Sequence, residues 1–258
     1  APALGAGSRV FESRRPDTAT TVAAPADGPR LVVGDVRAEP ASLVAVLALL
    51  RAGPPPALEV VYPTASDRAA GVAAVSPTSR LPVLVEHGTT IWETLAILEW
   101  AAERAPSLWP AHARRRAVAR AVVAELHGGL GALREQLPFD WFARYRLRGE
   151  PPPAVQVDLH RLAALWGELL ADGDGFLFGP RAGLADIAMV PLVGRLRTYD
   201  LWPREPLAAA YAERLLALDE VAAAFAGAAA EPARREPPAL AVAVTRPAGE
   251  AAAASRET

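Results

Sequence analysis

Glu93 and Thr94 place an acid and a hydroxyl side by side at the predicted start of a helix. A helix start presents unpaired amides and the positive end of the helix dipole. Together these groups suit a small ligand that carries a carboxylate and an amine close to one another. Upstream, Pro82 opens the apolar run Val83-Leu84-Val85. Proline has no amide hydrogen, so it belongs at the first position of a strand or in a tight turn. Gly88 supplies the turn of a hairpin, and a second short strand leads into Glu93.

The elements that must hold these residues follow from pattern. Residues 31–34 read as a short apolar strand, and residues 41–51 as a helix that Gly53-Pro54 ends. Residues 58–62 form the next strand, so a β-α-β unit with a parallel pair is expected. A short irregular helix is expected over 65–76. The hairpin then completes a four-stranded mixed sheet, covered by a helix over 93–104. Beyond Trp109-Pro110 the pattern is helical only: 112–135, 151–170, 183–198, 207–216 and 220–228. Between two of these helices lies a loop with Phe139, Trp141, Phe142 and Tyr145. This cluster is either packing between helices or the wall of an apolar substrate pocket. No internal repeat is found.

A second motif lies downstream at Gly183-Leu184-Ala185-Asp186, followed by Pro191. Gly183 takes a cap position, and Asp186 can reach back to its amide. Together, the proline-opened hairpin, the Glu93-Thr94 pair and this buried helix start resemble the glutathione S-transferase superfamily. The segments around Leu108-Trp109-Pro110, Leu137-Pro138 and 195–199 resemble one bacterial, serine-type branch of it. The resemblance spans roughly 30–230 and keeps the family's order.

It implies an α/β plus all-α fold: a thioredoxin-like N-terminal domain of βαβαββα order, then a C-terminal helical bundle. The expected boundaries are a flexible arm at 1–29, the glutathione-binding domain at 30–106, the helical domain at 107–231 and a flexible tail at 232–258. It further implies that Pro82 is cis and that the Leu81 backbone meets the cysteinyl part of glutathione. Glu93 and Thr94 would take the γ-glutamyl end. Asp186 and Gly183 are structural in this reading.

Transfer chemistry needs a thiolate, and a thiol is mostly protonated near neutrality. In the branch resembled, a serine-rich turn after the first strand donates a hydrogen bond to it. Here that turn reads Asp35-Val36-Arg37-Ala38-Glu39-Pro40-Ala41-Ser42, and the serine position falls near Glu39 or Pro40. Neither donates to a thiolate, and a Glu39 carboxylate would repel one. Ser42 is the one hydroxyl left to support catalysis; the competing reading is that it caps its own helix. Arg37 either supports the thiolate by charge or pairs with an acid nearby.

Composition narrows the function classes. The chain has 258 residues, 52% hydrophobic and 22% charged, with a net charge of −2. This balance gives no reason to expect nucleic acid or an anionic membrane as partner. No apolar run is long enough to span a membrane, no secretory leader pattern is seen, and the cytoplasm is the expected compartment. All 27 basic residues are Arg, which suggests coding bias rather than function. Cysteine is absent, which excludes disulfides, thiolate metal sites and every cysteine nucleophile. His87, His112, His127 and His160 lack ligand spacing, so no metal is expected.

The expected activity is glutathione conjugation to a small hydrophobic electrophile, with glutathione as co-substrate, in a homodimer. The alternatives are a non-catalytic binding or interaction member and a glutathione-dependent isomerase.

Overall fold

Strand β1 (Arg30–Val33) is buried along its apolar residues and is the central template of a four-stranded sheet of order β2-β1-β3-β4. It runs parallel to β2 (Ala57–Val60) and antiparallel to β3 (Val83–Glu86), which pairs in a hairpin with β4 (Thr89–Trp92). The computed structural model describes residues 28–60, 72–171, 175–226 and 237–244. The N-terminal arm expected over 1–29 lies outside the described residues up to 27. The irregular helix expected over 65–76 lies outside them up to 71. Of its end, Val72 is buried, and the Ser76 hydroxyl donates to the Arg80 carbonyl at 2.6 Å.

Helix α1 (Pro40–Ala52) links the parallel strands, opening on a proline whose missing amide costs nothing in a first turn. Residues 42 to 49 of it are all buried. A helix apolar all round is sandwiched rather than laid on a surface, and α1 packs against helices of both halves of the chain. Helix α2 (Thr94–Arg104) lies alongside it. Glu86 ties the hairpin to α2, accepting from Trp100 Nε1 at 2.7 Å and from Arg104 at 2.9 Å.

The helical half begins after a short turn at Pro106–Leu108. It comprises α3 (Ala113–Gly128), α4 (Gly131–Gln136), α5 (Pro153–Leu169), α6 (Leu184–Thr198), α7 (Pro206–Leu216) and α8 (Asp219–Ala224). The sequence expectation of one helix over 112–135 is corrected here. The chain breaks at Gly129, and Leu130 adopts a left-handed conformation with φ of 53°. Arg51 joins the halves, donating to Glu220 at 2.7 Å and to the Ala182 carbonyl at 3.1 Å.

The expectation of a flexible tail from 232 onward is also corrected within 237–244. Strand β6 (Ala241–Ala243) pairs antiparallel with β5 (Tyr145–Leu147), and Ala241 is buried. The free edge of β5 offers amides and carbonyls to whichever segment can reach it, and the tail takes them.

Candidate functional site

Sheet register alone brings the sequence-predicted residues together. Val32 pairs with Val83, so continuing that register brings Gly34 level with Leu81. Val83 pairs with Trp92, so Pro82 is level with Glu93. The end of β1, the entry to β3, the exit of β4 and the start of α2 therefore share one end of the sheet. The Leu81–Pro82 bond is cis.

Glu93 is half-buried and has φ of 70° and ψ of 131°. For a residue with a side chain this half of the backbone map is strained, and such strain gathers at functional sites. Its carbonyl accepts from the Ala96 and Ile97 amides at 3.1 and 3.2 Å, so the backbone opens α2. The side chain does not cap the helix. Thr94 is 5% exposed. Among the described residues neither side chain has a hydrogen-bond partner. An acid, a hydroxyl and the first amides of an eleven-residue helix therefore stand uncommitted at one point. A ligand with an amine and a carboxylate can use all three.

The β1–α1 turn is arranged differently. Ser42 is fully buried, and its Oγ accepts from the Gly34 amide at 3.0 Å. The expectation that Ser42 serves catalysis is corrected: Ser42 lies fully buried in the first turn of α1, where its hydroxyl is engaged by the backbone at the end of β1. Nor does Ser42 cap its own helix. Arg37 is 3% exposed and forks onto Asp35, with both contacts at 2.9 Å. Its carbonyl accepts from the Trp141 amide at 2.8 Å, which fastens the helical half to this turn.

The aromatic loop is packing, so its reading as a pocket wall is corrected too. Phe139, Trp141 and Tyr145 are buried, and Phe142 is half-buried. Trp141 stacks on Phe225 with ring centres 4.2 Å apart, and the Arg197 guanidinium lies 4.3 Å from its ring centre. Phe142 meets Phe225 edge-on, and Tyr145 packs on Tyr199. Gly194 of α6 permits the approach: a Cβ there would lie 2.8 Å from Trp141. Aromatic content alone could not separate packing from a pocket, because the deciding partner, Phe225, is remote in sequence.

At the start of α6, the Asp186 Oδ2 accepts from the Gly183 amide at 2.8 Å. Its Oδ1 accepts from the Leu177 amide at 3.0 Å and from the Tyr211 hydroxyl at 2.9 Å. Burial pushes the Asp186 carboxyl above its usual range, against the pull of these donors. Burial also pushes the Tyr211 phenol well above its ordinary value, and the facing Asp186 adds to the shift.

A cavity of about 260 Å³ lies elsewhere, between 107–111 and 178–185. It includes none of the residues at the sheet end, and its lining carries no acid or hydroxyl beyond Ser107. Among the described residues no cluster of three or more His, Asp or Glu could hold a metal, and no helix is long and apolar enough to cross a membrane.

Residues 40–104 match the family described as glutathione S-transferase, N-terminal domain, and residues 152–218 match glutathione S-transferase, C-terminal domain. No curated protein matches the chain. Among solved structures, a Burkholderia glutathione transferase homolog with bound glutathione is 24% identical, covering 75% of this chain and 94% of its own, with a TM-score of 0.57. A Tau class glutathione S-transferase from mango is 19% identical over 76% of this chain and 92% of its own, with a TM-score of 0.59. The nitrogen regulation fragment of the yeast prion protein Ure2p is 18% identical over 80% of this chain and 99% of its own, also at 0.59. These structures share the fold: a thioredoxin-like N-terminal domain and a helical C-terminal domain.

Proposed function

We propose, for a chain that belongs to the glutathione S-transferase superfamily, that the end of the sheet binds glutathione. The Leu81 backbone beside Pro82 pairs with the cysteinyl unit of the tripeptide. Glu93 takes the γ-glutamyl amine, and Thr94 with the first amides of α2 takes the γ-glutamyl carboxylate. The observation that carries this reading is the uncommitted Glu93-Thr94 pair, held level with Leu81-Pro82 by the strand register. Bound glutathione in the Burkholderia homolog and in a complex of Ure2p supports it by analogy.

The reading favoured is a glutathione-binding member with weak conjugating power. Conjugation needs a donor that stabilises the sulfur anion. Ser42 faces inward, and no other hydroxyl lies in the turn over 35–42. Isothermal titration with glutathione, paired with turnover of an activated aryl chloride, tests this. Binding at up to millimolar concentration with turnover near the uncatalysed rate is the expected result. Rapid turnover of the small hydrophobic electrophile would restore the transferase reading.

The same reading makes the protein a cytoplasmic homodimer. Trp92 on β4 and Val118 on α3 are exposed apolar side chains open to a second copy. Sedimentation velocity, with Trp92→Ser as the variant, checks the assembly.

A further inference from the structure

The cavity between 107–111 and 178–185 lies apart from the sheet end, and the glutathione reading leaves it unused. Its walls are fixed by the backbone. The segment that leaves the sheet half crosses the start of α6 at Gly183, where a Cβ would lie 2.8 Å from the Leu108 carbonyl oxygen. Only a residue without a side chain permits so close a crossing. Phe176 and Gly179 close a tight turn through reciprocal amide-to-carbonyl bonds of 3.0 and 3.4 Å. The Leu177 amide inside that turn donates to the buried Asp186 carboxylate at 3.0 Å. The turn that carries Phe178 is therefore fastened to the same helix start, and the cavity is preformed.

The lining is apolar and the rim is cationic. Leu108, Trp109, Phe178, Leu184 and Ala119 of α3 line the cavity. The Trp109 indole N–H is already engaged by Glu99 at 3.2 Å, so the ring offers carbon rather than a donor. Arg181 lines the cavity, is exposed, and has no acceptor among the described residues. Arg116 of α3 docks on another part of the lip. One Nη donates to the carbonyls of Pro110 and Ala111 at 3.0 and 2.7 Å, and both residues line the cavity. No acid does so. Asp186, behind the Gly183 amide, already accepts three hydrogen bonds, and Glu99 is forked by Arg120. Arg114, Arg115 and Arg116 also crowd the first turn of α3 with no acid among them, where the helix dipole adds to their charge. An anion at this lip relieves that crowding.

We infer that this cavity is a second binding site, for a small aromatic carboxylate. The rings lie against Trp109 and Phe178, and the carboxylate meets Arg181 and Arg116. Size sets the class: a cavity of about 150 Å³ holds one benzene, so about 260 Å³ holds one or two fused rings. A neutral ring gives up the charge-assisted bonds, and a bare anion gives up the apolar burial that supplies most of the affinity. The site does not depend on the glutathione reading and works beside it.

Isothermal titration of 2-naphthoate into the full chain tests this, with 2-naphthamide as the neutral analogue of the same shape and acetate as the anion without rings. The expected result is one site per chain for naphthoate, binding about tenfold weaker for naphthamide, and none for acetate at millimolar concentration. Arg181→Gln and Arg116→Gln should each weaken naphthoate by about threefold to tenfold and leave naphthamide within about twofold. Phe178→Ala should weaken both aromatic ligands alike. Naphthoate affinity should be the same with and without millimolar glutathione. Equal affinity for naphthoate and naphthamide would overturn the inference, as would a naphthoate affinity indifferent to both arginine substitutions. Displacement of naphthoate by glutathione would overturn it too, by moving the ligand to the sheet end, and so would no naphthoate binding at millimolar concentration.

Discussion

Two of the helix starts that carry an acid, those of α6 and α2, use it in opposite ways. At α6 the Asp186 carboxylate is buried and accepts three hydrogen bonds, from Gly183, Leu177 and Tyr211. At α2 the Glu93 carboxylate is half-buried, caps nothing, and hangs from a backbone with φ of 70°. The first acid has spent its bonding capacity inside the fold, so its removal exposes a structural debt. The second sits in a strained conformation with no hydrogen-bond partner among the described residues, and the proposed ligand would supply one. Residue type does not separate the two; accounting for where each oxygen's bonds go does.

The largest effect expected is at α6. Asp186→Ala leaves three donors, two of them buried, without their acceptor, at about 1 kcal/mol each, so unfolding in urea should show a loss of about 3 kcal/mol. A loss below about 1 kcal/mol would erase the contrast between the two starts.

Tyr211→Phe should cost about 1–2 kcal/mol near neutrality, from one buried bond to a carboxylate. It should also change the alkaline limb. The folded phenol ionises well above its ordinary value of 10.0, whereas in the unfolded chain it ionises near that value. The unfolded state therefore loses its proton first, and stability falls as pH rises above about 10. Thermal melts from pH 9 to pH 11 should fall more steeply for the wild type than for the variant.

At α2 the sign reverses. Glu93→Gly relieves the positive φ and should raise stability by about 0.5–1 kcal/mol, read as a higher Tm, while glutathione binding weakens. A variant that melts lower would show that Glu93 is a structural residue like Asp186.

The smallest effect expected lies on the outer face of α2 and α3. Glu99 and Arg120 form an ion pair at 2.8 Å with both side chains substantially exposed. Arg120→Ala should therefore cost less than about 1 kcal/mol. The hydrogen bond from Arg120 holds the Glu99 carboxyl below its usual value. Its contribution is present above about pH 4.5 and is lost as pH falls further, so any difference from the wild type should vanish in acid.

Much of the fold was legible in the sequence because short-range chemistry specifies it. Pro82 and Gly88 punctuate the hairpin, Pro40 and Pro153 open helices, and apolar runs mark β1 and β3. The family match itself begins at Pro40 and resumes at Pro152, leaving out the β1–α1 turn and the aromatic loop. Trp141 lies in the second of these gaps, whereas Ser42 lies just inside the matched residues. Ser42 faces Gly34 because α1 is enclosed on all sides, which no local pattern states. Trp141 packs on Phe225 and bonds to Arg37, partners far along the chain in either direction. Strand β6 has a weak Ala-Val-Ala pattern and exists only because β5 offers an edge. The break at Leu130 turns on one left-handed residue that helical periodicity does not register.

Isothermal titration of glutathione into the wild type and a Glu93→Gln, Thr94→Val double variant, with a melt of each, is the most direct test of the account. It should give one site per chain in the wild type, at least tenfold weaker binding in the variant (on the order of 1.4 kcal/mol), and a Tm that barely moves. Equal affinity in the two proteins, or no binding to the wild type at millimolar peptide, would contradict the claim that this open acid and hydroxyl exist to hold a ligand.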